Sequence, residues 1–82
     1  MNIETVIKNI ILKQLEIDGN KTEFLPDTNL QNIGMDSIKF IKLIVEIEGE
    51  FDIEYPDEKL LITESGTLER IVTVVNNCMN NN

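Results

Sequence analysis

The residues best suited to chemistry lie together in Gly34-Met35-Asp36-Ser37-Ile38. Ser37 brings a hydroxyl, and Asp36 beside it brings a carboxylate that accepts hydrogen bonds well at a helix start. If a helix begins here, its first N–H groups lack intrahelical partners and its end carries partial positive charge. A phosphate joined to Ser37 is favoured by both effects. Asp36 could cap the helix, or could hold a cation or a hydroxyl for a modifying enzyme. The competing reading is a plain capping pair, since Asp and Ser both favour helix starts without any chemistry. Little else is on offer. With no His and a single Cys, Cys78, the chain holds no Ser-His-Asp triad, Cys-His dyad, His/Cys zinc site or internal disulfide. A calcium loop opening at Asp27 would need Gly where Asn32 stands and Glu where Ile38 stands, and no Gly-rich phosphate loop is present. Cys78 reads as a small residue of the last helix, because no cation stands near it in sequence to favour a thiolate.

Charge narrows the partners. The 82 residues hold 15 Asp+Glu against 7 Lys+Arg, a net charge of −8. That balance repels nucleic acid and anionic membrane and suits basic partner surfaces. A hydrophobic fraction of 41% is too high for a disordered acidic tail, so one folded domain is expected. Met1 to Glu4 already carries a carboxylate, and Lys8 and Lys13 interrupt the apolar residues that follow. Neither a secretion signal nor a membrane span of roughly 20 apolar residues is expected, and the expected location is the cytoplasm.

The elements that would position Ser37 follow from periodicity. Ile3, Val6, Ile7, Ile10 and Ile17 share one face at helical spacing, predicting a first helix over 2–17 with a left-handed stop at Asp18-Gly19-Asn20. Residues 20–36 form a long loop whose Phe24, Leu25, Leu30 and Ile33 should anchor it in the core. Asp36 caps a second helix running to about Phe51, with Phe40, Leu43, Ile44, Ile47 and Phe51 buried. Opposite them lie Ile38, Lys42, Val45 and Gly49, an apolar stripe in solvent that starts beside Ser37. Asp52 to Pro56 reads as an extended connector, Asp57 to Ile62 as one short helix, and Thr63 to Gly66 as a turn. Thr67 caps a last helix in which Leu68, Ile71, Val72, Val75 and Met79 align. The fold class predicted is all-α: a small four-helix bundle of three main helices and one short one, with a long loop between the first two. The domain spans 1–79, and Asn80 to Asn82 form a frayed tail.

At this point the sequence resembles the acyl and peptidyl carrier proteins, whose signature is Gly-x-[Asp/His]-Ser-[Leu/Ile] ahead of an amphipathic helix. Gly34, Asp36, Ser37 and Ile38 match it, and the likeness extends through chain length, the long loop, Phe51 to Glu58 and the capped last helix. The resemblance implies a non-catalytic carrier. A phosphopantetheinyl transferase moves 4′-phosphopantetheine from coenzyme A onto the signature Ser, here Ser37, with Asp36 as motif neighbour and cap. The arm holds an acyl, aminoacyl or peptidyl group as a thioester. An acyl- or aminoacyl-activating enzyme loads it, and condensing or tailoring enzymes receive it. Docking is expected on Met35, Ile38, Lys39, Lys42, Val45 and Glu48, with the protein a monomer and no metal resident. The run from Glu46 to Glu58 has seven carboxylates and no cation, as in acyl carriers. Fatty-acid carriers usually place acidic residues two and five positions after the Ser, where this chain has Lys39 and Lys42. Asp36-Ser37-Ile38-Lys39 is closer to peptidyl carriers, although their typical second Gly is Met35 here. Nonribosomal peptide or polyketide-type biosynthesis is therefore the expected setting. The alternatives are a housekeeping fatty-acid carrier and, in another class, an unmodified helical adaptor or regulatory protein.

Overall fold

A computed structural model describes residues 2–16 and 25–80. Four α-helices, with two short 3₁₀ turns, carry the described residues, and no strand occurs among them. The predicted all-α bundle is the fold.

Helix α1 spans Ile3–Leu15. Asn2 opens it by accepting the Thr5 N–H at 3.2 Å, and Glu4 in the first turn and Lys13 in the last both complement the helix dipole. Its end departs from expectation. Glu16 takes the left-handed conformation (φ 55°, ψ 41°), and its N–H closes on Leu12 and Lys13; the stop expected at Asp18-Gly19-Asn20 lies outside the described residues. A non-glycine residue adopts this conformation at a cost of about 1–2 kcal/mol. Ile17 to Phe24 fall outside the described residues. The buried line is Ile7 and Ile11, flanked by half-buried Ile3, Ile10, Leu12 and Leu15. It sits rotated from the expected Ile3-Val6-Ile7-Ile10 face because α1 packs against both α2 and α4.

The descending loop is anchored less than predicted. Leu30 is fully buried and Ile33 half-buried, but Leu25 remains 49% exposed. Backbone bonds hold the loop instead: Leu30 N–H donates to the Gly66 carbonyl at 2.8 Å, and Glu69 N–H donates to that of Pro26 at 3.0 Å. Leu30–Ile33 form a 3₁₀ turn closed by Gly34 at φ 108°, a conformation natural to glycine. Met35 then returns its N–H to the Leu30 carbonyl at 3.0 Å, which swings the chain into α2.

Helix α2 spans Ser37–Phe51. Phe40, Leu43, Ile44 and Ile47 are buried and Phe51 is half-buried, each fully buried side chain contributing about 1.5–3 kcal/mol. After the extended connector, the single short helix expected over Asp57 to Ile62 is divided. A 3₁₀ turn covers Asp57–Lys59, and α3 covers Ile62–Ser65, the stretch expected to be a turn. Leu61 is extended and exposed between them (φ −89°, ψ 114°); this break lets Ile62 and Ser65 reach the core. A Cβ on Gly66 would collide with the Ile62 backbone, so only glycine fits where α3 closes.

Helix α4 spans Leu68–Asn80. Thr67 caps it, accepting the Arg70 N–H at 3.3 Å. Leu68, Ile71, Val74 and Val75 are buried and Val72 half-buried, whereas Met79, expected on this face, is exposed. Thr73, a β-branched residue within the helix, donates its hydroxyl back to the Glu69 carbonyl at 2.8 Å. Asn80 is the last helical residue, and Asn81 and Asn82 lie outside the described residues.

Candidate functional site

The start of α2 is built by Asp36. Its backbone is extended (φ −123°, ψ 177°), its Oδ1 accepts the Lys39 N–H at 2.8 Å, and its carbonyl accepts the Phe40 N–H at 2.8 Å. One residue therefore closes the first turn with both side chain and backbone. Ser37, the first helical residue, is exposed, and the cap does not require its hydroxyl. The N–H groups of Ser37 and Ile38 fall among the first four of the helix, which have no intrahelical acceptor.

The structure brings most of the expected docking residues onto one face. Ile38 is 71% exposed and Val45 61%, and Lys39 and Lys42 are exposed with them. Ile41, not anticipated, joins this face as an exposed apolar side chain. Two expected members are elsewhere. Met35 is only 3% exposed and packs in the core, because its bond to Leu30 turns the side chain inward. Glu48 is half-buried, and its Oε2 accepts the Tyr55 N–H at 2.9 Å. It braces the connector to α2 instead of facing outward. Glu46 sits 4.0 Å from Lys13, an exposed pair linking α1 and α2 that contributes at most about 1 kcal/mol.

Tyr55 was missed as a core residue. It is buried, and its hydroxyl has no hydrogen-bond partner among the described residues. Burial, and after it the nearby Cys78 thiol, pushes its phenol well above the ordinary value. The sequence held a usable signal: Phe51, Ile53 and Tyr55 alternate with Asp52 and Glu54, the period of an extended segment with one inward side. Cys78 is half-buried, with its sulfur 3.6 Å from the Glu54 carbonyl oxygen, a packed position in the last helix. An open cleft of about 640 Å³, lined by Asp27, Lys59, Thr67 and Arg70 among others, includes neither Asp36 nor Ser37.

Ser37 thus stands open at a helix start, beside an apolar face and outside that cleft. The chain belongs to the phosphopantetheine attachment site family, whose model matches residues 5–75. It is a phosphopantetheine carrier protein, and 4′-phosphopantetheine is its covalent prosthetic group. Carriers of this family meet a phosphopantetheinyl transferase and partner enzymes. Among the described residues no helix is long and apolar enough to cross a membrane.

Proposed function

We propose that Ser37 is the residue to which the 4′-phosphopantetheine of coenzyme A is joined, and that the protein is a carrier in nonribosomal peptide or polyketide-type biosynthesis. The observation that carries this reading is the exposed Ser37 hydroxyl at the first position of a 15-residue helix. A phosphodiester there would lie by the unpaired N–H groups of the first turn and the positive helix end. Asp36 leaves the serine available by making the capping bond itself. When bound, the arm supplies the thiol that holds acyl or aminoacyl cargo as a thioester, and tethering raises the cargo's effective concentration at each partner site.

The residues of this chain do three things in that role. Asp36 fixes the helix start, the buried face led by Phe40 holds α2 on the bundle, and Ile38, Val45, Lys39 and Lys42 meet the partners. The two lysines favour the biosynthetic setting over the housekeeping fatty-acid carrier, because they stand two and five positions after Ser37, where fatty-acid carriers usually place acidic residues. The test is intact mass before and after incubation with coenzyme A and a broad-specificity phosphopantetheinyl transferase. Wild type should gain one phosphopantetheine, and Ser37→Ala should gain none while melting within about 1 kcal/mol of wild type. An unmodified adaptor would show no gain in either form.

A further inference from the structure

The open cleft of about 640 Å³ is walled by the loop at Asp27, the 3₁₀ turn at Lys59 and the junction of α3 with α4. Its size falls within the range of about 300–1,000 Å³ usual for small-molecule sites. The walls are tied together by the bonds from Leu30 to Gly66 and from Glu69 to Pro26, so a ligand would find them already in place. Two observations inside the cleft point to a ligand. The first is Ser65, which lines the cleft and is only 5% exposed. Its hydroxyl makes no hydrogen bond among the described residues. Thr73 in α4 bonds back to the carbonyl four residues earlier at 2.8 Å; Ser65 makes no such bond to Leu61. A hydroxyl kept out of water without a partner is unfavourable, and alanine would serve the packing as well. The second is the charge. Lys59 and Arg70 line the cleft together with Asp27 and Glu64, yet none of the four forms an ion pair among the described residues. Arg70 donates one Nη1 hydrogen to the backbone carbonyl of Glu64 at 2.8 Å, which holds the guanidinium across the end of α3 and leaves its other donors open. An adjoining hollow of about 370 Å³ shares Lys59, Ser65 and Arg70 and adds Glu69, also unpaired. Both signs of charge therefore face one cavity without neutralising each other.

We infer that this cleft binds a small zwitterion of the α-amino acid class. The ligand's carboxylate lies against Arg70 and Lys59 and accepts the Ser65 hydroxyl, and its ammonium lies against Asp27 and Glu64. Charge complementarity selects this class. A phosphate would be drawn to the two cations but opposed by two carboxylates of the same lining, and a polyamine would meet the reverse difficulty. A ligand that carries both charges on one short frame is opposed by neither pair. The guanidinium fork suits a planar carboxylate in particular. Ile62 in the same lining offers apolar contact to a side chain. Ser37 lies outside the cleft, and the inference stands whether or not that residue bears the arm.

The test is titration of the full chain, followed by amide chemical shifts, with L-alanine, L-leucine and L-glutamate. N-acetyl-L-leucine, L-leucinamide and inorganic phosphate serve as single-sign controls. At least one free amino acid should move the amides of Asn29, Ser65, Gly66, Thr67 and Arg70 saturably and leave those of Ser37 to Val45 in place. N-acetyl-L-leucine lacks the ammonium and L-leucinamide the carboxylate, so each should bind about tenfold more weakly than L-leucine or not at all. Ser65→Ala should melt at or above wild type, because it removes an unpaired hydroxyl, yet bind the amino acid about tenfold more weakly. Arg70→Met and Asp27→Asn should weaken binding as well, and added salt should weaken it in wild type. No shift with any of the three amino acids overturns the inference, as do shifts confined to Ser37 to Val45. Equal binding of N-acetyl-L-leucine, or of phosphate, would make the cleft a site for simple anions and overturn it. Equal binding of L-leucinamide would make it a site for cations, with the same result. A Ser65→Ala protein that binds as wild type does overturns the role given to the hydroxyl and, with it, the placement of the ligand.

Discussion

Truncating Phe40 to alanine should bring this protein close to unfolding, and the structure fixes the scale. Phe40 is wholly buried at the centre of α2's inner face, and its N–H makes the first backbone bond of that helix to Asp36. Removing a buried phenylalanine ring costs about 3–5 kcal/mol. At 0.05–0.15 kcal/mol per residue, an 82-residue domain has about 4–12 kcal/mol in total. The substitution therefore removes between a quarter and all of it. Urea titration followed by far-UV circular dichroism is the direct assay. With a slope of about 1 kcal/mol/M for so small a domain, the midpoint should fall by roughly 3 M or more, and the melting temperature by at least about 12 °C. Phe51→Ala is the internal control. Phe51 is only half-buried at the end of the same face, so its loss should be clearly smaller. A Phe40→Ala protein melting within about 2 °C of wild type would refute the seating of α2. The outward placement of Ile38 and Val45 would then fall with it.

Further outcomes follow from single groups. Asp36→Ala should lose about 1 kcal/mol through the missing cap, while Asp36→Asn, which keeps the acceptor, should lose far less; equal melting of the two would show that the bond to Lys39 is not the stabilising feature. Tyr55→Phe should melt at or above wild type, because it removes a buried hydroxyl that has no described partner. The same residue sets an alkaline limit. Its phenol is raised in the folded protein by burial, so the unfolded chain, titrating near 10, releases the proton first. The stability it contributes is complete below about pH 10 and is lost as the pH climbs towards the folded value. Wild type should therefore weaken above pH 10 in melts from pH 8 to 11, and Tyr55→Phe should lack that component. Parallel curves for the two would refute it.

Much of this protein was legible in the sequence because the relevant forces are local. Asp36 caps its own helix three residues on, and the spacing of Phe40, Leu43, Ile44 and Ile47 needs only the helical period to define an inner side and expose Ile38 and Val45. Thr67 begins α4 by the same short-range chemistry. The rest was decided by contacts between distant segments. Packing of α1 against two neighbours rotated its buried line to Ile7 and Ile11, and the helix closes at Glu16 through bonds to Leu12 and Lys13. Backbone bonds from Leu30 to Gly66 and from Glu69 to Pro26 hold the loop while Leu25 stays in water. The turn made by Gly34 buries Met35, and the bond from Tyr55 to Glu48 takes a carboxylate off the outer face of α2 and seats an aromatic in the core. Periodicity reads which side of an element is apolar. Which apolar side chain finds a neighbour, and which carboxylate finds an N–H, depends on residues brought together only when the chain is folded.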